Sequence, residues 1–330
     1  MMWQFLLAVI AGFALLVWGA DRFVVGAAAT ARNLGVAPLI IGLTIVGLGT
    51  SAPEMLVSAM AAWDGNPGLG MGNAVGSNIA NIGLIIGLTA LIVPLQVSSV
   101  TLRREFPVLL GIMLVAWLLV IDGELNRLDG ALLLLGLVGM LGWMVWLGLN
   151  SRGDGIDPLL SEYTDEIPVG MAMPTALGWL AVGLVVLLLS SRVLIWGAIG
   201  IAEAMGVSDL IIGLTLVALG TSLPELAAAI VSALKGEHDI ALGNVIGSNM
   251  FNLLGVLGLP GLIHPSVVET GLASRDFAVM AGLTLLLLLF SYSYRRRARR
   301  VNRIEGGVLL LVYLGYLSLL YWTLAPQQIQ

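Results

Sequence analysis

Long apolar runs separated by short polar segments make up the whole chain. Each run is about 18 to 25 residues long, which is enough for a helix to cross the ~30 Å apolar core of a bilayer. The pattern predicts an all-α, polytopic membrane protein. Its ten helices are expected near residues 3–29, 38–63, 70–94, 105–121, 128–149, 174–202, 209–234, 240–263, 275–293 and 304–324.

Composition supports a membrane protein and excludes several other classes. Of the 330 residues, 58% are apolar and 11% are charged, and the mean hydropathy is +1.00. A soluble domain of this size could not expose so much apolar surface without aggregating. The 42 glycines suit close helix packing in lipid. Cysteine is absent, so disulfides and thiolate metal sites are excluded. A net charge of −5 without a basic, aromatic-rich patch argues against a nucleic-acid partner.

Basic residues predict how the chain is oriented in the membrane. The N-terminal segment lacks a basic n-region and a cleavage site, so it is read as a first span and not as a signal peptide. Positively charged residues concentrate on the inner side of membrane proteins, and here they favour both termini outside. Compact loops then suggest a prokaryotic plasma membrane. The residues assigned to the inner side are Arg22, Arg32, Arg103, Arg104, Arg152, Lys235, Arg295, Arg296, Arg297, Arg299, Arg300 and Arg303.

The two halves of the chain repeat each other when residue n is aligned with residue n+171. "GVAPLIIGLTIVGLGTSAPE" matches "GVSDLIIGLTLVALGTSLPE", and "GNAVGSNIAN" matches "GNVIGSNMFN". We therefore expect two repeats, residues 1–150 with a motif at 42–81 and residues 174–330 with a motif at 213–252. A cytoplasmic acidic linker, 151–173, joins them, and it lacks the ligand pattern of an EF-hand. Five spans per half make the repeats inverted, which is typical of secondary transporters with a midplane site.

Polar side chains within these motifs are candidate cation ligands. Proline removes a backbone donor beside each glutamate, and a carbonyl freed in this way is tolerated in the membrane when something binds it. All candidate atoms are oxygens, which favours hard cations such as Ca²⁺ over Zn²⁺ or Cu⁺. The candidates are Glu54, Glu225, Thr50, Thr221, Ser51, Ser222, Ser77, Ser248, Asn81, Asn252 and the carbonyls near Gly47 and Ala218, with Asn78 and its repeat equivalent Asn249 as further amides.

Charge balance gives a second reason to expect a cation. Each carboxylate at the bilayer centre costs about 2.5 to 3.5 kcal/mol, and the four motif helices contain no Lys or Arg to neutralise it. One Ca²⁺ would cancel the charges of Glu54 and Glu225, and so would a larger number of Na⁺ ions or protons. An empty, doubly charged site should resist burial while the transporter changes its access state, whereas a filled, neutral site can be buried.

Other polar residues in the apolar segments are expected to be structural. Asp21 and Arg22 are placed near a helix end, where they would reach the interface or pair locally. Asn73 and Asn244 are expected to cap or brace their helices. None of these four is assigned to the ion site.

"GLGTSAPE" with "GNAVGSN", repeated as "ALGTSLPE" with "GNVIGSN", resembles the paired alpha-repeats of the cation/calcium exchanger superfamily. The prokaryotic type of its Na⁺/Ca²⁺ exchanger branch is most similar. The resemblance implies an antiporter without enzymatic activity or cofactor, in which inward Na⁺ movement expels Ca²⁺. Glu54 and Glu225 would be the central Ca²⁺ carboxylates, and helices one and six would slide across the core. Asn252 stands where some members carry Asp, which disfavours potassium dependence.

Three rival functions stay open at this point. A midplane glutamate can also carry a proton, so H⁺-coupled cation exchange is the nearest alternative. A cation channel can use carboxylates for selectivity, but duplicated inverted halves favour alternating access. An intramembrane hydrolase would need an acid and a base, and the motifs contain no His. One chain can hold the complete site, so a monomer suffices.

Overall fold

The computed structural model describes residues 2–36, 41–98, 101–150, 171–204, 222–268, 271–292 and 300–324. These residues are almost entirely helical. The helices are α1 (Met2–Leu34), α2 (Gly42–Thr50), α3 (Ala52–Trp63), α4 (Pro67–Ile92), α5 (Phe106–Val120), α6 (Arg127–Asn150), α7 (Met173–Ala204), α8 (Leu223–Leu234), α9 (His238–Ile263), α10 (Leu272–Ser291) and α11 (Arg303–Leu324).

Seven helices of the described residues are long and apolar enough to cross a membrane, or eight if α2 and α3 form one bent span. The chain is therefore a multi-pass, all-α membrane protein. The prediction of ten spans is neither confirmed nor contradicted. The first half of the seventh predicted helix, residues 209–221, lies outside the described residues, and α5 has only 15 residues.

α1 and α7 pack against each other along their length in antiparallel register. Gly12, Gly19 and Gly26 are seven residues apart and therefore lie near one face of α1. Side chains added at these positions would meet Leu194, Leu187 and Leu180 of α7, respectively. As the residue number rises along α1, the number of the contacted residue in α7 falls, so the two helices run in opposite directions. Without a hydrophobic driving force between helices in lipid, such close backbone contact stabilises their association.

Two short strand pairs join the halves of the chain at their edges. β1 (Leu95–Gln96) pairs antiparallel with β4 (Arg300–Val301), and β2 (Glu124–Leu125) pairs antiparallel with β3 (Ser266–Val267). Each pair thus takes one strand from each half. Because Leu95 and Ser266 are 171 residues apart, β1 and β3 occupy equivalent places in the repeat.

Several helices change their winding at equivalent positions of the two halves. α4 widens into a π-helical turn at Asn81–Ile86, and α9 does so at Asn252–Val256. A second equivalent pair of π-helical turns precedes α5, at Thr101–Glu105, and begins α10, at Leu272–Asp276. Such turns are rare and occur often at functional sites. Here the first pair begins at two predicted ligands.

The placement of Asp21 and Arg22 differs from the expectation. They lie well inside α1, whose helix continues to Leu34, and not near a helix end. Asp21 forms an ion pair with Lys235 at 2.8 Å and also pairs locally, as expected, with Arg22 at 3.6 Å. The Arg22 guanidinium lies 4.9 Å from the centre of the Trp179 ring. The apolar pattern predicted a helix end near residue 29, five residues before the observed end at Leu34.

Candidate cation site

Both motifs begin their second helix at the Ser-x-Pro-Glu sequence that the repeat shares. Ser51 and Ser222 precede α3 and α8 with nearly identical backbones, φ −84° and ψ 0° against φ −90° and ψ 1°. The proline follows in the first turn, where its missing N–H is no loss. Glu54 and Glu225 also lie in the first turn, so the positive end of each helix dipole stabilises a negative carboxylate there.

The chain bends by 47° between α2 and α3, at Ser51. Thr50, the last residue of α2, is fully buried and contacts α9 across the bend. Its hydroxyl lies 3.0 Å from Asn244 Oδ1 and 3.5 Å from Ser248 Oγ. The break in the first half is therefore in direct contact with motif residues of the second half.

The two carboxylates are buried close together. Glu54 is 1% and Glu225 is 2% exposed, and they are close enough to repel each other. Ser51 Oγ donates a hydrogen bond of 3.5 Å to Glu225 Oε1, which links the two motifs. No Lys or Arg side chain is buried anywhere in the part of the chain that the structure describes. Two buried like charges in contact are costly, and a bound cation or proton would reduce that cost.

Amide side chains of α4 and α9 meet beside the carboxylates. Asn81 Nδ2 donates to Asn249 Oδ1 at 2.9 Å, and Asn78 Nδ2 donates to the Asn249 carbonyl at 3.1 Å. Asn249 is thus central to the contact. Asn78 and Asn249 are the further amides expected from the repeated "GSN", and the structure brings them together.

Acceptor oxygens without donors are concentrated in this region. Among the described residues, the buried motif oxygens that receive no hydrogen bond include four carboxylate or amide atoms. A buried acceptor without a donor costs about 1 to 3 kcal/mol, and a bound cation would remove that cost. The four atoms are Glu225 Oε2, Asn78 Oδ1, Asn81 Oδ1 and Asn252 Oδ1.

Asn73 and Asn244 brace the helix breaks, as expected. Asn73 Nδ2 donates to the Glu54 carbonyl at 3.3 Å, and Asn244 Nδ2 donates to the Glu225 carbonyl at 3.4 Å. The two contacts are equivalent in the repeat. They hold the first turns of α3 and α8 against α4 and α9.

The expectation that the Gly47 carbonyl is freed by the break is wrong. It accepts the Ser51 N–H at 3.0 Å and the Ser248 hydroxyl at 3.5 Å, because the helical turn stays closed through Ser51. The Thr50 hydroxyl also approaches it, at 3.4 Å. The service of this carbonyl as an ion ligand stays a prediction. Two other predicted ligands, Thr221 and Ala218, lie outside the described residues.

The remaining predicted ligands are brought into the same buried layer. Ser222 is 3% exposed, Ser77 is 6% exposed and Ser248 is fully buried. Five helices, α2, α3, α4, α8 and α9, supply the residues of this layer, and every side-chain atom among them that could bind a cation is an oxygen. Within the described residues, no group of three or more His, Cys, Asp or Glu forms a metal cluster. The arrangement suits a hard, weakly held cation better than a permanently bound transition metal.

Buried, oxygen-lined carboxylates between bent helices define the class of protein: a polytopic cation transporter. Comparison with known proteins identifies the family. The family model described as sodium/calcium exchanger protein matches residues 4–146 and 175–322. The chain belongs to that family, whose members are cation/Ca²⁺ antiporters and not enzymes.

Curated relatives cover nearly the whole chain. The putative antiporter CaxA of Alkalimonas amylolytica is 51% identical over 95% of this chain and 97% of its own. The inner membrane protein YrbG of Escherichia coli is 42% identical over 95% of both chains. The sodium/calcium exchanger MaX1 of Methanosarcina acetivorans is 34% identical over 96% of this chain and 98% of its own.

Solved structures of the sodium-calcium exchanger NCX_Mj share the fold. One, from crystals soaked with Na⁺ and no Ca²⁺, is 34% identical and superposes with a TM-score of 0.81. The match covers 96% of this chain and 99% of that one. The sequence-based recognition of the superfamily and of its Na⁺/Ca²⁺ branch is therefore confirmed.

Proposed function

We propose that the protein exchanges Na⁺ for Ca²⁺ at a single site that Glu54 and Glu225 share. The observation that carries this proposal is the burial of both carboxylates in one layer without a buried Lys or Arg among the described residues. One Ca²⁺ neutralises the pair, and several Na⁺ ions do the same. The unpaired amide and carboxylate oxygens around the pair supply further ligands of the kind that Ca²⁺ prefers.

Alternating access follows from the charge of the site. Moving the barrier across an empty site would bury two uncompensated carboxylates, which is costly in a medium of low dielectric constant. A site filled with either Ca²⁺ or Na⁺ avoids that cost. The protein then crosses between its states only when loaded, and this condition couples the two ion fluxes. Crystals of NCX_Mj have been soaked with Na⁺, Ca²⁺ or Sr²⁺, which suits the same pair of substrates.

The two halves are proposed to be inverted five-helix repeats, residues 1–150 and 174–330, around the acidic linker 151–173. The antiparallel register of α1 and α7 supports this topology, since these helices are the first of each half. Both termini would lie outside the plasma membrane. Because the chain lacks cysteine, single cysteines introduced near residue 2 and near residue 160 can be labelled in whole cells. An impermeant thiol reagent should label the first and not the second; the reverse result would contradict the proposed orientation.

Calcium uptake into proteoliposomes tests the proposed exchange. Vesicles loaded with Na⁺ are compared with K⁺-loaded vesicles at clamped pH. Uptake should require internal Na⁺ and fall to background in both Glu54→Gln and Glu225→Gln. Glu105→Gln is the matched control, because Glu105 is equally buried but pairs with Arg104 outside the site.

Other outcomes would point to the rival functions. Uptake that ignores Na⁺ but follows a pH step would establish proton coupling. Flux without any counter-ion would establish a channel. Full uptake in either glutamine variant would show that the buried carboxylates do not carry the ion.

A further inference from the structure

We infer that Asn249 is a positioning residue that aims the Asn81 side chain at the transported ion. The inference rests on the proposed function, since it assigns a role within that site. Asn81 Nδ2 donates to Asn249 Oδ1 at 2.9 Å. Because an amide carries its donor and acceptor on opposite branches, fixing the nitrogen fixes the direction of the oxygen. Asn81 Oδ1 is buried and has no donor within the described residues, as a cation ligand requires.

The position of Asn249 is itself fixed by the fold. Its carbonyl accepts Asn78 Nδ2 at 3.1 Å, which ties α9 to α4 one turn before the π-helical turn of α9. The side chain is 1% exposed, so water does not compete for its acceptor. The equivalent of the Asn81–Asn249 contact in the other half would join Asn252 to Asn78 Oδ1, and that oxygen has no donor within the described residues. The equivalent contact is therefore not made in this state.

Calcium binding by purified protein tests the role of Asn249. In Asn249→Ala, the Asn81 amide is free to rotate and Ca²⁺ affinity should fall about five- to tenfold, the usual net value of one buried hydrogen bond. Asn249→Asp keeps an acceptor oxygen at the same place and should bind at least as well as the wild type. Ser58→Ala is the control, because it removes a buried 2.7 Å interhelical hydrogen bond, to the Val256 carbonyl, away from the ligands.

Testing Asn249→Ala again in a protein that carries a second substitution, Asn81→Asp, distinguishes a positioning role of Asn249 from a merely structural one. The Asn81→Asp substitution replaces the amide by a carboxylate with two equivalent oxygens, so either oxygen can bind the cation and the ligand need not be oriented. Asn249→Ala should then have no effect on Ca²⁺ affinity when it is combined with Asn81→Asp. The same loss in both backgrounds would overturn the inference, and so would unchanged affinity in Asn249→Ala alone. A wild type that binds no Ca²⁺ would overturn the proposed function and this role together.

A separate observation concerns ion pairs between the α1/α7 pair and the helices of the site. Lys235, which follows α8, forms a 2.8 Å ion pair with Asp21 of α1. The residues 171 positions away carry the opposite charges: Asp64 follows α3, and Arg192 lies in α7. These two side chains are described and exposed, yet no ion pair joins them. One pair is closed and its charge-reversed equivalent is open.

We propose that the two pairs close alternately, one in each access state. If the two halves exchanged conformations, the Asp21–Lys235 ion pair would open and the equivalent pair, Arg192 with Asp64, would form. An acidic residue at the C-terminal end of a helix opposes the helix dipole, so Asp64 is poorly placed for stability in this state. An ion pair with Arg192 in the other access state would stabilise the Asp64 carboxylate at this position. This proposal also rests on alternating access.

Cross-linking tests the alternation and benefits from the absence of cysteine. Double variants Asp21→Cys with Lys235→Cys, and Asp64→Cys with Arg192→Cys, are treated in membranes with a flexible bifunctional thiol reagent. The reagent must be longer than a disulfide, because the Cα atoms of two ion-paired long side chains are farther apart than those of two disulfide-bonded cysteines. Both pairs should cross-link, and each cross-link should abolish uptake until it is reduced. Asp21→Cys with Arg192→Cys is the control and should not react, since the α1–α7 register separates these residues by about two turns.

The balance between the pairs gives a second measurement. Asp21→Asn weakens the closed pair and should raise the yield of the 64–192 cross-link about two- to fivefold, as expected for an exposed ion pair. Failure of the 64–192 pair to react, while the 21–235 pair does, would overturn the alternation. Cross-linking does not depend on which ion is carried, so that result would leave the Na⁺/Ca²⁺ assignment standing.

Discussion

The two halves of the site share a sequence motif, but α9 of the second half is more deeply buried than α4 of the first. In the second half, every residue from 240 to 258 of α9 is buried, and α2 lies directly against it. In the first half, Leu69 of α4 is 53% exposed where its equivalent, Ile240, is 0% exposed. The segment equivalent to α2, residues 213–221, lies outside the described residues, so the comparison is limited to α4 and α9 themselves.

Glycine-to-alanine exchange at equivalent positions should show the largest difference between the halves. A Cβ at Gly247 would lie 2.7 Å from the Leu43 carbonyl oxygen, whereas one at Gly76 meets nothing within 4 Å among the described residues. Gly247→Ala should cost about 1 to 3 kcal/mol of stability, because the backbone of α2 must move. Gly76→Ala should be neutral or slightly stabilising. Thermal unfolding in detergent measures both.

The same glycine pair also tests the exchange of packing. If α4 takes up the close packing of α9 in the other state, Gly76→Ala should lose calcium uptake although it unfolds like the wild type. Normal uptake in Gly76→Ala would contradict the exchange. Equal losses of stability in both variants would contradict the difference between the halves.

A smaller difference is expected at the charged turns that precede or begin α5 and α10. Asp276 accepts hydrogen bonds from Arg275 and from the Tyr316 hydroxyl, the latter at 2.9 Å, whereas Glu105 is bonded by Arg104 alone among the described residues. Tyr316→Phe should lower the free energy of unfolding by about 1 to 2 kcal/mol, since the bond is charge-assisted and buried. Tyr313→Phe, on the same helix, should change little. Comparable losses in both variants would show that the hydroxyl of Tyr316 contributes nothing specific.

The smallest effect should be the same in both halves. Asn126 Oδ1 accepts the Asp129 N–H at 3.2 Å, and Asn302 Oδ1 accepts the Glu305 N–H at 3.0 Å. Each asparagine thus caps its helix, α6 or α11. Asn126→Ala and Asn302→Ala should each cost about 1 kcal/mol in thermal unfolding. If the losses of unfolding free energy in the two variants differed by well over 1 kcal/mol, the two halves would differ outside the site as well.

Much of the fold and the site could be predicted because local rules specify them. Apolar runs marked the helices, and Pro53 with Glu54 marked the break that the structure places at Ser51. Oxygen chemistry then selected the ligands. These features depend on short sequence stretches, and the repeat doubled each signal.

Other features could not be predicted because they depend on contacts between distant segments. The π-helical turns at Asn81 and Asn252 have no local signature, since they arise where α4 and α9 pack. Asn249 acquires its role only through its contacts with Asn78 and Asn81. The hydrogen bonds of the Gly47 carbonyl likewise depend in part on Ser248, 201 residues away.

Calcium binding measured by titration calorimetry tests most directly whether one site is built from both halves. A shared site predicts that the wild type binds one Ca²⁺ per chain, and that this binding is lost in Glu54→Gln and in Glu225→Gln alike. Two Ca²⁺ ions per chain, or one ion retained in either single variant, would show that each half binds independently and would contradict the shared site.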